Sequence, residues 1–387
     1  MQRERVSYED CIFAAGVIAD QILYFFGEKE NALIEVDINT GKMKYSDRFN
    51  ESNWAIERTD FLQEWNKKLY RIPYGGRFIE EFSLTNGKYE KIIIGEGYGR
   101  DWDIFADVEM KDGFLYLFPK WEKEMLYMNT KSHKVEKWRL FSDTETSQLA
   151  GDFSCFSNAL RWGDTVWLFE TENGWTAIFD LNKNEWTTRV IPGRMPDCVA
   201  VCREKHNFYF LSCEGQIYSW DLDTDQYALV WEGEKEFEMK YYFGEMFSVS
   251  QKLILLPGLG DDIVIFDCEG GNWKRYNNYP HDLVYKDAIA KYSHRFFEDD
   301  NYYYHPMWSS NYLIMIDKKT GSIQWKKMTM PLKRERMFFL QSQIEKHRLT
   351  LNDELDFMVD FLEYIQSEQE ENDDLNRGIG RDIWEAV

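Results

Sequence analysis

Four acidic residues lie close together in the chain, at Asp101, Asp103, Asp107 and Glu109. Such a group could bind Ca²⁺ or Mg²⁺, or provide an acid and a base for catalysis. The sequence has no calcium loop of the Asp-x-Asp-x-Asp-Gly type, and alternate residues on a strand share one face. Asp107 and Glu109 could equally line a hydrated channel, and we predict neither a metal site nor a cofactor.

The histidines do not follow metal-ligand or catalytic spacings. They are His133, His206, His281, His294, His305 and His347. None forms an HxH or HExxH arrangement, and the chain contains no GxSxG nucleophile elbow and no phosphate-binding loop. The sequence therefore identifies no catalytic residue and leaves open whether the protein is an enzyme, although the missing motifs favour a non-enzymatic role.

The net charge limits the classes of partner. Lys and Arg number 46 and Asp and Glu number 68, which gives a formal charge of −22. Nucleic acids and anionic membrane surfaces are bound mainly through basic side chains, so we expect neither as a partner. The six cysteines include no CxxC pair, which predicts reduced thiols in a cytoplasmic protein.

One apolar segment near the start resembles the core of a signal peptide. It spans residues 11–19, but Glu9 and Asp10 directly precede it where a signal would carry positive charge. No stretch of the chain approaches the ~18 apolar residues that span a bilayer. We interpret this segment as a buried first strand.

The elements that would position any site follow an internal repeat of about 46 residues. In each copy, one residue, which we call the anchor, begins a tight turn. The anchors are Asp37, Ser83, Asn129, Asp180, Asp221, Asp267 and Asp317. An Asp side chain can cap a tight turn, and the Gly or Asn found four residues later in most copies supplies the positive φ. The pattern predicts a β-hairpin in each copy.

A second position recurs upstream of the anchors, within a β-type run. It is occupied by Tyr24, Tyr70, Tyr116, Trp167, Tyr209, Ile254 and Tyr303. Seven of the eight prolines fall at repeat boundaries between strands, where a missing N–H does least harm. The third copy then reads as four strands, at about Phe105–Met110, Phe114–Phe118, Met125–Tyr127 and Val135–Leu140.

Seven units of four strands predict an all-β fold, a seven-bladed β-propeller, over residues 10–330. A single sheet cannot bury both of its apolar faces, whereas seven sheets stacked in a closed ring can. Residues 331–387 form a separate acidic extension. In it, Leu351, Leu355 and Met358 begin an apolar stripe at helical spacing, which predicts a helix over 352–367. This helix could pack on the propeller or serve as a docking arm.

The unit resembles the kelch-type propeller repeat, in which a Tyr, a turn Asp, a Trp and a Pro follow in order. The matching residues are Trp167, Asp180, Trp186 and Pro192, with Trp in the Tyr position. The Gly-Gly pair of that family is absent from most copies, and Gly75-Gly76 is its nearest equivalent. The Asp-x-x-Thr-Gly turns at Asp37 and Asp317 are also similar to quinoprotein-type repeats. Both resemblances imply a propeller and leave the function open.

Loops that join strands two and three share one face with the connections between blades, and this face is the usual ligand site of a propeller. Our register places there Arg77, Arg100, Asp101, Trp102, Trp121, Arg194, His281 and Trp308. An exposed Trp beside charged groups would suit a sugar, whereas a Trp packed between blades would be structural. The leading hypothesis is an intracellular recognition scaffold that binds a protein through the loops, the C-terminal arm or both. The alternative is a carbohydrate-active enzyme or a sugar-binding propeller.

Overall fold

The computed structural model describes residues 13–27, 32–47, 59–73, 78–94, 105–121, 124–139, 156–195, 197–234, 237, 239–283, 296–307 and 310–329. Its strands form seven antiparallel sheets, and each sheet is built from four strands that are consecutive in the chain. Within the described ranges, no helix has the length and apolar character needed to cross a membrane.

We number the sheets as blades one to seven in chain order. Blade one contains β1 (Phe13–Ala19), β2 (Ile22–Gly27), β3 (Ala32–Asp37) and β4 (Met43–Asp47). Blade two contains β5 (Thr59–Trp65), β6 (Lys68–Pro73), β7 (Phe78–Ser83) and β8 (Tyr89–Ile93). Blade three contains β9 (Phe105–Lys111), β10 (Phe114–Pro119), β11 (Glu124–Asn129) and β12 (Val135–Arg139). Blade four contains β13 (Asn158–Trp162), β14 (Thr165–Glu170), β15 (Trp175–Asp180) and β16 (Glu185–Val190).

The remaining three blades repeat the same order. Blade five contains β17 (Cys198–Glu204), β18 (Asn207–Ser212), β19 (Ile217–Asp221) and β20 (Gln226–Trp231). Blade six contains β21 (Phe243–Val249), β22 (Lys252–Pro257), β23 (Val264–Asp267) and β24 (Trp273–Arg275). Blade seven contains β25 (Phe297–Glu298), β26 (Tyr302–Pro306), β27 (Tyr312–Asp317) and β28 (Ile323–Lys327). The prediction of seven four-stranded units is confirmed.

The core consists of layers between adjacent blades rather than one central mass. Seven apolar clusters each combine buried residues of two neighbouring blades. In the cluster between blades seven and one, Leu23 and Ile34 pack with Leu313 and Met315. Since this last cluster joins the first blade to the seventh, the sheets form a closed ring in which each apolar face is covered by a neighbour.

The repeated anchors end the third strand of every blade, as the strand bounds show. At Asp180, the carboxylate Oδ1 accepts hydrogen bonds from the N–H groups of Asn182 at 2.9 Å and Lys183 at 3.0 Å. Asn184 then takes a positive φ of 56°. The same bonds recur at Asp37, Asn129, Asp221, Asp267 and Asp317. The predicted side-chain cap therefore forms the turn in six of the seven blades.

The recurrent aromatic position lies on the second strand of each blade. There, Tyr70, Tyr116, Trp167, Tyr209 and Ile254 are buried between blades. Four prolines differ slightly from their predicted place between strands, because Pro73, Pro119, Pro257 and Pro306 are the last residues of second strands. The end of a strand tolerates the missing N–H for the same reason as a connection does.

The ring has two distinct faces. Turns that join strands one and two lie beside turns that join strands three and four, as shown by the N–H of Leu181, which donates to the Asp164 carbonyl at 2.8 Å. On the opposite side, loops joining strands two and three bond to the blade-to-blade connections, since the Met195 N–H donates to the Thr171 carbonyl at 2.9 Å. We call these the turn face and the loop face.

The ring closes without an exchanged strand in the described chain. After β28, Thr329 donates to the Gly41 carbonyl at 2.8 Å and accepts from the Met43 N–H at 3.0 Å. The end of an outer strand thus meets the turn between strands three and four of the next blade. Between blades four and five, the corresponding position is bridged by a side chain, because the Arg189 guanidinium donates to the Leu222 carbonyl at 2.9 Å. The contact between blades seven and one is thus made by the backbone and includes a parallel bridge between Lys42 and Thr329.

The predicted helix over 352–367 and the rest of the 331–387 extension lie outside the described residues. The boundary between the propeller and the extension stays a prediction.

Candidate functional site

Three of the eight predicted site residues fall in the described chain, and each belongs to a different part of the loop face. Trp121 follows β10, Arg194 lies between blades four and five, and His281 lies between blades six and seven. Arg77, Arg100, Asp101, Trp102 and Trp308 lie outside the described residues, as does Asp103 of the acidic group. Whether the eight residues form one site stays a prediction.

Trp121 is partly exposed at the loop face. The neighbouring Lys120 carbonyl accepts a hydrogen bond from the Phe156 N–H at 2.8 Å, which ties this loop to the start of blade four. The Trp121 side chain is 37% exposed, and the Lys120 ammonium lies 5.8 Å from the centre of its ring. An indole with a cation beside it offers a stacking surface for a planar or sugar ring.

Arg194 lies on a connection whose backbone is closely fixed. The Ile191 N–H donates to the Gly174 carbonyl at 2.8 Å, and Gly174 has a φ of +78°. A Cβ on Gly174 would lie 2.8 Å from the Gly193 carbonyl oxygen, so only glycine fits there. Arg194 is exposed beside this turn and presents its side chain at the loop face.

His281 is exposed and precedes an aspartate that joins two elements. Asp282 accepts a hydrogen bond from the Tyr312 hydroxyl at 2.6 Å and pairs with the Lys327 ammonium at 2.6 Å. These two contacts lower the pKa of Asp282 to about 2. Asp282 thus fastens the connection to blade seven, and His281 is left at the surface.

A group of exposed apolar side chains at the loop face was not among the predicted site residues. We call Met239, Tyr241 and Leu259 the loop-face patch; their side chains are 48%, 46% and 39% exposed. The Tyr241 N–H donates to the Cys213 carbonyl at 2.6 Å, and the Leu259 N–H donates to the Tyr241 carbonyl at 2.8 Å. The patch therefore lies where blades five and six meet and rests on hydrogen-bonded backbone.

Tyr241 takes a backbone conformation that is rare for a bulky residue. Its φ is +59°, which costs an L-residue other than glycine about 1–2 kcal/mol. Met195 makes the equivalent backbone bond one blade earlier and Phe156 makes it two blades earlier, and both side chains are buried. Tyr241 is the member of this set that turns its side chain outward, and such strain is typical of functional positions.

Two glycines hold the backbone beneath the patch. A Cβ on Gly258 would lie 2.7 Å from the Tyr241 carbonyl oxygen, and a Cβ on Gly260 would lie 2.4 Å from the Tyr242 ring. The Tyr242 hydroxyl in turn donates to Asp262 at 2.9 Å. The patch is therefore supported from below by close packing, so that its side chains are presented on a fixed backbone.

Acidic side chains surround the loop-face patch. Asp197 and Glu214 are exposed on the blade five side, and Asp261 is exposed two residues beyond Leu259. The Lys240 ammonium lies 4.0 Å from the Asp197 carboxylate. The three acids outnumber Lys240, and in a chain of net charge −22 they favour cationic over anionic ligands at the patch.

The innermost strands carry polar contacts from blade to blade around the axis. Arg161 of β13 pairs with Glu109 of β9 at 2.6 Å, and the Arg203 guanidinium lies 3.3 Å from the Trp162 ring centre. Burial raises the pKa of Glu109, and the charge of Asp107 acts in the same direction, against the effect of Arg161. Since Glu109 is engaged by a neighbouring blade, we interpret it as a structural tie rather than a catalytic acid.

Glu81, Glu90 and His133 bring their ligand atoms within 4.8 Å of one another. His133 Nε2 lies 3.0 Å from Glu81 and Nδ1 lies 3.2 Å from Glu90, so the two carboxylates bind opposite ring nitrogens. Lys68 also pairs with Glu81 at 2.5 Å. A metal ion bound to one ring nitrogen would need both carboxylates on that side of the ring, whereas here they lie at opposite nitrogens. The arrangement is instead that of a bridging imidazole between blades two and three.

The four described cysteines, Cys198, Cys202, Cys213 and Cys268, form no disulfide. Burial raises the pKa of the Cys198 thiol to about 12 and that of Cys268 to about 11. Thiols of this kind are poor nucleophiles at neutral pH. Cys11 and Cys155 lie outside the described residues.

Comparison with known proteins supports the fold alone. No family model matches the chain, and no curated protein sequence matches it. The kelch-type assignment therefore stays a prediction. Among solved structures, BamB from Moraxella catarrhalis is 12% identical with a TM-score of 0.50, covering 83% of this chain and 84% of that one.

Two further structures show the same level of similarity. The computationally designed Ika8 protein is 11% identical with a TM-score of 0.50 and covers 84% of this chain and 91% of its own. U3-55K is 9% identical with a TM-score of 0.50 and covers 81% of this chain and 90% of its own. At these identities the similarity extends to the propeller architecture and not to function.

Proposed function

We propose that this protein is a recognition scaffold that binds a partner protein at its loop face. The observation that carries the proposal is the loop-face patch, where apolar side chains are held exposed on a fixed backbone. Exposed apolar surface rimmed by polar residues is typical of protein-interaction sites. Glu109 on an innermost strand is paired with Arg161 of the next blade, and this contact supports binding rather than catalysis.

The proposal retains two features that stand on the sequence. The acidic extension over 331–387 would add a second contact with the same partner, and its apolar stripe would supply that contact. The free thiols of the described cysteines support a cytoplasmic location, where such thiols persist.

Site-specific photo-crosslinking tests the proposal in the full-length protein. A photoreactive amino acid replaces Arg194 at the loop face, Trp65 at the turn face or the exposed Thr187 midway along the outer strand β16, and each variant is expressed in the native cell. We expect a discrete protein adduct from Arg194 alone, because a scaffold binds through one face. Equal labelling from the three positions, or no adduct from Arg194, would contradict the proposal.

Trp121 favours a sugar-binding propeller as the second candidate. A partly exposed indole on the loop face can stack against the apolar face of a sugar ring. Glycan-array binding that is lost in Trp121→Ala and retained in Trp65→Ala would support this candidate. Formation of a cleaved product would then separate an enzyme from a binder.

A further inference from the structure

The loop-face patch has a composition that defines the kind of partner it fits. Its three side chains are apolar and aromatic, and each comes from a segment whose backbone is bonded to the next. Tyrosine and other rigid aromatic side chains often dominate the affinity of an interface, since little conformational freedom is lost on binding. The patch thus provides an anchor surface about which the remaining contacts can be arranged.

The charges around the patch determine which sign of charge a partner must carry. Asp197 and Glu214 are exposed beside the backbone that carries Tyr241, since Cys213 bonds to the Asp197 carbonyl at 2.9 Å. Lys240 is the basic residue within the patch sequence, and it already lies near Asp197. An acidic rim in a strongly acidic molecule attracts cationic segments and repels anionic ones.

We infer that the loop-face patch binds a short segment of a partner protein that carries an aromatic or aliphatic anchor flanked by Lys or Arg. This inference rests on the proposed scaffold function and adds the surface and the chemistry of the partner. The anchor packs on Met239, Tyr241 and Leu259. The flanking cations lie against Asp197 and Glu214, and this arrangement couples apolar burial to charge complementarity.

Tyr241→Gly gives a variant in which loss of binding cannot be ascribed to unfolding. Glycine accepts a φ of +59° without strain, so the fold should be as stable as the wild type or slightly more so. Leu259→Ser removes a second apolar contact. Its matched control is Leu229→Ser on β20, where the leucine is 40% exposed on an outer strand.

The charge contribution has its own variant and control. Glu214→Lys reverses a charge at the rim of the patch, whereas Glu269→Lys reverses an exposed charge in a turn of blade six on the turn face. Only Glu214→Lys should weaken the binding of a cationic ligand. The effect should diminish as the salt concentration rises from about 0.05 M to about 0.3 M, because exposed charges are screened.

The experiment selects peptides of about twelve residues from a random phage library on the full-length protein, the length being that of a typical peptide-recognition segment. We expect enrichment of aromatic or aliphatic residues flanked by Lys or Arg. The affinity of a synthetic selected peptide, measured by fluorescence anisotropy, should fall at least about tenfold in Tyr241→Gly and several-fold in Leu259→Ser and Glu214→Lys. Both control variants should bind as the wild type does.

Three outcomes would overturn the inference. Selected peptides that bind Tyr241→Gly and Leu259→Ser as well as the wild type would refute this surface while leaving the scaffold function in place, which the photo-crosslinking decides separately. Enrichment of acidic peptides, or of no peptide, would refute the partner's chemistry. Sedimentation of the wild type as a dimer and of Tyr241→Gly as a monomer would show that a second copy of the chain covers the patch.

Discussion

At the scale of single residues, the turn aspartate is the feature that the chain uses most often. The carboxylates of Asp180, Asp221, Asp267 and Asp317 accept backbone N–H bonds, and these bonds lower the pKa of each side chain. A carboxylate whose pKa is lower in the folded protein stabilises it fully above its ordinary pKa of about 4. The contribution is lost as the pH falls from there through the lowered pKa.

Substitution at Asp180 separates the role of its oxygen from that of its charge. Asp180→Ala removes the acceptor and should lower the midpoint of thermal unfolding by about 1–2 °C. Asp180→Asn keeps an Oδ1 acceptor and should lie close to the wild type at pH 7, with a smaller loss of stability between about pH 4 and pH 2. Calorimetry across this pH range measures both effects. Equal midpoints for the alanine variant and the wild type would show that the turn does not need its cap.

At the scale of the element, the strand faces that pack between blades are mostly apolar, and blade two holds a fully buried ion pair on one such face. Arg71 of β6 and Glu80 of β7 are opposite each other and fully buried, with a guanidinium-to-carboxylate distance of 2.5 Å. They share one face of the sheet with Leu69 and Phe82, which lie two residues away on each strand and pack in the cluster shared with blade one. The Tyr89 hydroxyl also donates to Glu80.

Removing one partner of this buried pair should reduce the free energy of unfolding far more than replacing the whole pair with apolar residues. Arg71→Met leaves the Glu80 charge buried and should reduce the free energy of unfolding by about 3–5 kcal/mol. The triple variant R71M/E80M/Y89F removes all three polar groups and should recover most of that loss. Urea denaturation measures the difference. A loss of less than about 1 kcal/mol in Arg71→Met would mean that water reaches the pair in solution.

The sequence predicts this architecture well because each repeat carries its own turn signal. Asp37 in the first copy and Asp317 in the last are each followed by a glycine four residues later. Because such turn signals can be counted along the chain, they predict the number of blades. The pair Arg71–Glu80 could not be predicted, because charged residues in a strand ordinarily indicate an exposed face. Nor could the exposure of Tyr241, since an apolar residue at that position is buried in two other blades and only its φ distinguishes it.

At the scale of the whole molecule, the ring is closed by the seam between blades one and seven. Gly41 has a φ of +73° and lies against this seam, where an added Cβ would be 2.3 Å from the Lys327 carbonyl oxygen. Gly163 has a φ of +59°, and nothing lies within 4 Å of its added Cβ. Both glycines need a positive φ. They differ in that a neighbouring blade leaves no space for a Cβ at Gly41, whereas the space around Gly163 is open.

Alanine substitutions at Gly41 and Gly163 measure how much the close packing at the seam contributes to stability. Gly163→Ala should cost about 1–2 kcal/mol of unfolding free energy from backbone strain alone. Gly41→Ala should cost at least about 1 kcal/mol more, because the carbonyl it meets cannot move without opening the seam. Faster amide hydrogen exchange at Thr329 and Met43 in Gly41→Ala would confirm where the loss arises. Equal losses of unfolding free energy in the two variants would show that the backbone at the seam adjusts to the added Cβ without penalty.

The construction of each sheet from consecutive strands also determines how the molecule can assemble. Every interface but one joins neighbours in the chain, whereas the Lys326 ammonium and the Asn39 carbonyl that meet across the seam are 287 positions apart. The entropy of joining the ends of such a segment grows only with the logarithm of its length. We expect each blade to form and to pair with the next one along the chain before the first blade meets the last, so that this contact completes the ring.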